Sequence, residues 1–284
     1  MPTAILDGIK TEYDVIGSGP PLLMYAPGGF DASMDKWSNL GIYAQIKLLD
    51  HLPKHFSCIV FDRRETGQSG GRVERITWEH YVEQGKQLLD HLGHDKAHLI
   101  GGCMGCCPVA AFATRYPEKV MSMVQYWPVG GAGFRLNANR RFSMHYGYVE
   151  EHGLEGVVKL AQSTQDGFGK DPRQGPWGPV LRSDPEFAEA FVKQDQAHYL
   201  LTVAGLARTL IDRDSMPGFE PEDLMQLDIP TLIIPGRDKA HALSSAWFLE
   251  ECSRNVDFWD VRPDGQTEQT APPRIIEFLQ KASG

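Results

Sequence analysis

Residues 97–116 read as an apolar strand that turns through glycines into a helix, with a cysteine at the corner. Ala97-His-Leu-Ile-Gly101 is the strand, Gly101-Gly102-Cys103-Met104-Gly105 the corner, and a helix is predicted from about Cys106 to Tyr116, stopped by Pro117. The glycines have a physical purpose. A residue on so sharp a strand-to-helix turn takes a strained backbone conformation, and small neighbours let strand and helix approach. The Cys103 side chain then projects at a helix N-terminus, where free N–H groups and the positive end of the helix dipole stabilise an anion.

Further apolar strands are predicted at 12–16, 22–26, 58–62 and 120–126, with helices over 43–52 and 77–93, the second capped by Thr77. This alternation implies an α/β fold built on a mainly parallel, doubly wound sheet. From about residue 129 to 222 the rhythm lapses into Gly-, Arg- and aromatic-rich sequence with helical stretches and no convincing strand. It resumes with strands at 231–234 and 256–261 and a final helix near 273–282. We therefore expect one core, residues 1–128 and 223–284, interrupted by a helical cap, residues 129–222. A chain of 284 residues, 42% of them hydrophobic, can bury a core of that size.

A net charge of −9 with no basic run argues against nucleic acid and against an anionic membrane surface as partners. No apolar run approaches the roughly 20 residues that span a bilayer. Five cysteines, an odd count, and an N-terminus without a signal-like stretch point to free thiols in the cytoplasm. The expected partner is a small-molecule substrate, with room for a homodimer and no call for a metal or cofactor.

The motifs together resemble the α/β-hydrolase fold superfamily, with a cap and with cysteine at the nucleophile elbow. Gly101-Gly-Cys-Met-Gly105 stands where that family has G-x-S-x-G. Pro27-Gly-Gly-Phe30 resembles its oxyanion loop, with Pro27 in place of the usual His. Phe61-Asp-Arg-Arg-Glu-Thr-Gly-Gln-Ser69 resembles its D-x-R-G-x-G-x-S loop, with Glu65 where Gly is usual. Ile234-Pro-Gly-Arg-Asp238 resembles the strand end that delivers the acidic triad member. The family's histidine should follow the last strand. The matching pair here is Gly265-Gln266, so an amide replaces the base. By family position, Met104 with Gly29 or Phe30 would form the oxyanion hole.

A serine without a base is nearly inert, whereas a cysteine at a helix N-terminus can be partly thiolate unaided. The resemblance and the residue types therefore imply a Cys103 nucleophile acting on an ester, thioester or related activated carbonyl, with hydrolysis as the default. Asp238 is expected at the site, and His241, three residues on, is the nearest alternative base; His145 and His198 in the cap are others. Arg63, Trp127 and Phe134 are expected to meet the substrate, and inward-facing arginines would suit an acidic one. Three rival readings remain open: acyl transfer or lyase chemistry, a dead ligand-binding scaffold suggested by Gln266, and thiol redox chemistry through Cys103-x-x-Cys106.

Overall fold

The computed structural model describes residues 1–283. Eight strands form one sheet: β1 Thr3–Leu6, β2 Ile9–Ile16, β3 Pro21–Tyr25, β4 Ser57–Phe61, β5 Ala97–Gly102, β6 Val120–Tyr126, β7 Thr231–Ile234 and β8 Val256–Phe258. Their order is β1-β2-β4-β3-β5-β6-β7-β8. β1 pairs with β2, and β2 with β4, in antiparallel fashion; every other pairing is parallel. All six residues of β5 are buried, as befits a central strand covered on both faces. Leu99 points into one core and Ile100 into the other.

The core is covered on one face by α1 Lys36–Asn39, α2 Gly41–Ile46, α3 Leu48–His51 and α12 Ala271–Ser283. The other face carries α4 Trp78–His91, α5 Cys106–Arg115 and α11 Leu243–Cys252. The backbone N–H of Thr77 donates to Nδ1 of His80 at the start of α4, a reciprocal cap with histidine in the role more often taken by Glu. Between β6 and β7 lie α6 Ala132–Ser163, broken by a kink at Gly153, α7 Gly178–Ser183, α8 Pro185–Val192 and α9 Gln196–Leu210, packed on one another, and no strand among the described residues. α10, Pro221–Leu224, returns the chain against α5 and α11. No helix among the described residues is long and apolar enough to cross a membrane.

Four local expectations are corrected. The helix predicted over 43–52 breaks at Lys47, whose φ of 49° is left-handed, giving α2 and α3. The strand predicted to reach residue 261 ends at Phe258. The last helix starts at Ala271, because its two prolines occupy the first turn, where a missing N–H costs nothing. β1 was not anticipated. It folds back on β2 through Asp7 and Gly8, both at positive φ, which is the two-residue hairpin that Asp-Gly favours.

Candidate active site

Cys103 has φ 54°, a left-handed conformation that costs a side-chain-bearing residue energy and that the surrounding packing imposes. A Cβ on Gly101 would overlap the Gly105 carbonyl, and one on Gly105 would overlap that of Tyr25. Strand β5, the corner and α5 thus meet at backbone contact, and the half-buried Cys103 is held at the head of α5.

Asp238 and His241 lie on the loop after β7. Oδ1 of Asp238 accepts from the backbone N–H groups of Ala240 (2.8 Å) and His241 (2.9 Å), which curls the loop back on itself. Both carboxylate oxygens also sit 2.9 Å from Nδ1 of His241. The Gly130 N–H donates to Ala240 O (3.1 Å), tying this loop to the exit of β6. Nε2 of His241 is buried. The Cys103 sulfur is near enough to act on the charge state of this ring.

Burial opposes charge on both members of this pair and is outweighed. For Cys103, His241 and the N–H groups of Met104 and Gly28 bring the thiol below its ordinary value. For His241, the Cys103 and Asp238 charges raise the imidazole to about 10. Its hydrogen bond to His241 lowers Asp238 to about 2, so the carboxylate is ionised throughout the working range. The two shifts run in the directions that favour a thiolate beside an imidazolium.

Gln266 is buried, and all four of its amide hydrogen-bonding positions in this slot are used. Oε1 accepts from Tyr126 Oη (3.0 Å) and Trp127 Nε1 (2.7 Å). Nε2 donates to Pro235 O (3.0 Å) and Val261 O (2.7 Å). The amide therefore joins the ends of β6, β7 and β8. Trp127 has φ 55°, and its ring lies 5.3 Å from that of His241, centroid to centroid.

On the oxyanion loop the Gly28 N–H acts on the sulfur, next to the expected Gly29 and Phe30. The carbonyl of Gly29 is taken by Nη2 of Arg63 (2.6 Å). The Phe30 ring packs edge-on against Phe142 and Phe168 of the insertion. Sequence reasoning missed Gly28, although its φ of 117° is one that glycine alone takes readily. Arg63 is buried over the Tyr81 ring (4.2 Å), with Nε and Nη1 unpartnered. Phe134, in the first turn of α6, packs against the main core. His145 has both ring nitrogens occupied, by Arg173 O (2.7 Å) and Tyr199 Oη (2.6 Å). His198 is exposed on α9. The Cys106 thiol donates to Gly101 O (3.2 Å), and burial pushes it well above the ordinary range, which leaves it a poor partner for disulfide exchange.

Residues 21–125 match the family model described as alpha/beta hydrolase fold. Over 127 residues the chain is 28% identical to the dihydrolipoyllysine-residue acetyltransferase component of the acetoin cleaving system of Cupriavidus necator, covering 45% of this chain and 32% of that one. It is 26% identical over 129 residues to the uncharacterised hydrolase YraK of Bacillus subtilis, covering 45% of this chain and 44% of that one. It thus spans less than half the length of either relative. A 23% match to the 2-hydroxy-6-oxo-6-phenylhexa-2,4-dienoate hydrolase of Comamonas testosteroni covers 88% of this chain and 84% of that one. Among solved structures, the α/β hydrolase MGS-M2 from a Medee basin deep-sea metagenome library superposes with a TM-score of 0.65 at 16% identity, covering 98% and 97% of the two chains.

Proposed function

We propose that this chain, which has the α/β-hydrolase fold and matches that family model over residues 21–125, is a cysteine hydrolase of activated acyl compounds, with Cys103 as nucleophile, His241 as acid and base, and Asp238 as the group that orients His241. The observation that carries this reading is the His241 ring, fixed by Asp238 on one nitrogen and turned towards the Cys103 sulfur with the other. Asp238 and His241 sit on one loop, so the base has moved from the end of β8 to the end of β7. The thiolate attacks the acyl carbon and forms a C–S bond, and the N–H groups of Met104 and Gly28 receive the oxyanion. Collapse expels the alkoxide or thiolate leaving group, which takes the Nε2 proton of His241. The neutral imidazole then takes a proton from water as the hydroxide attacks the thioester. Release of the carboxylic acid restores the thiolate and the imidazolium.

One observation favours a narrower substrate. Arg63 is a buried guanidinium beside the oxyanion loop, and two of its nitrogens have no partner. A carboxylate on the acyl chain would satisfy them. The test is intact mass spectrometry after exposure to p-nitrophenyl esters and acyl thioesters near neutral pH, using paired neutral and carboxylate-terminated acyl chains. We expect a transient acyl adduct that decays with release of acid and is absent from Cys103→Ala, forming faster with the acidic member of each pair. An adduct that persists until a thiol or amine is added would make the protein a transferase. No adduct and no turnover would favour the ligand-binding reading. Equal rates within each pair would remove Arg63 from the substrate contacts.

A further inference from the structure

Gln266 and the proposed base His241 are joined by one tryptophan. Tyr126 and Trp127 are consecutive, and consecutive strand residues point to opposite faces of a sheet. Here both side chains nonetheless reach the same oxygen, Oε1 of Gln266. They can do so because the chain leaves the strand at Trp127, in a left-handed conformation uncommon outside glycine. That turn lays the indole beside the His241 imidazole. Gly236 lies between them: a Cβ there would overlap Cβ of His241 and press on the Trp127 ring.

We infer that Gln266 and Trp127 are positioning residues for the relocated base: the amide fixes the indole through its Nε1–H, and the indole braces the His241 ring towards Cys103. The inference rests on the proposed catalytic pair and goes beyond it by giving the residue in the old histidine slot a task. An imidazole could not perform it. Neutral histidine offers one donor and one acceptor, whereas this slot demands two of each. Asp238 anchors only one edge of the His241 ring and is itself half exposed, so the ring needs a wall to keep its other nitrogen on the sulfur.

The test uses the full-length protein and follows the pH dependence of Cys103 alkylation by iodoacetamide, beside the pH profile of ester hydrolysis and the melting temperature. The variants are Trp127→Phe, which keeps a ring but loses the donor, and Gln266→Met, which keeps the bulk but loses all four bonds. The expected result is a thiol titration displaced upward by about one pH unit in Trp127→Phe, with kcat/KM near neutral pH down roughly tenfold. Gln266→Met should move the titration the same way and further. Should it not fold, Trp127→Phe carries the test alone. Lowered melting with an unchanged titration and pH profile in Trp127→Phe would overturn the brace and leave the proposed chemistry standing. A parent enzyme whose Cys103 titrates like a free thiol would overturn the catalytic pair itself.

Discussion

His241→Gln should lower kcat/KM for an activated ester by roughly 10³-fold, equivalent to about 4 kcal/mol of transition-state stabilisation. The loss is unequal between the two half-reactions. In the absence of His241, Cys103 retains the head of α5 and the N–H groups of Met104 and Gly28, and these still favour a thiolate. Acylation slows because the leaving group no longer receives a proton. Deacylation should slow more, because the variant has lost the group proposed to activate water. Intact mass spectrometry should therefore find the S-acyl enzyme accumulating in the variant where the parent clears it. The pH profile follows from the same shifts. The thiol lies below its ordinary value, so activity is lost as pH falls through the Cys103 titration; the imidazole is raised to about 10, so the other limb is at high pH. His241→Gln abolishes the high-pH limb and moves the acid limb upward. Asp238, held at about 2, contributes neither limb. Normal turnover in His241→Gln would place the base elsewhere.

The parts of this site that could be read from the chain are those set by short-range backbone rules. The elbow needs glycines flanking a corner, and Gly101 and Gly105 supply them. The acid loop needs a carboxylate just past a strand, and Asp238 supplies it. His241 was one of three histidines open as the base, and its spacing alone did not decide. What brings it to Cys103 is the loop curling onto the Asp238 carboxylate and the tie from Gly130 to Ala240, both long-range or conformational facts. Gln266 is legible as a missing histidine but not as a four-bonded clamp, since its partners lie on three separate strand ends. Glu65 shows the same limit. It stands where the family has glycine and keeps the left-handed φ of 68°. Its buried carboxylate lies 2.9 Å from Nε of Arg64 and accepts from the Arg72 N–H, contacts that hold the strained conformation. The fold was easier to read than the site because strand–helix alternation repeats along the chain, whereas each catalytic contact occurs once.

Gly105→Ala should melt roughly 5–8 °C below the parent, a loss of about 3–5 kcal/mol. The added methyl would overlap the Tyr25 carbonyl and crowd that of Ala26. β3 cannot yield, because it is paired on one side with β4 and on the other with β5. α5 cannot yield either, because Cys106 through Ala113 are all buried in the core. Gly147→Ala is the matched control. That glycine lies within α6 with nothing near its Cβ position, so alanine there should be neutral or stabilising by up to about 1 kcal/mol. Differential scanning calorimetry of the two variants separates a steric demand at one corner from a general intolerance of substitution. The size of the Gly105 effect also bears on the chemistry. A corner this tightly packed fixes the Cys103 backbone before any substrate arrives, so the proposed His241 pairing starts from a set Cα position. If Gly105→Ala melted within about 2 °C of the parent, α5 would be free to slide away from β3, and the geometry of the Cys103–His241 pair would have to be supplied by substrate binding.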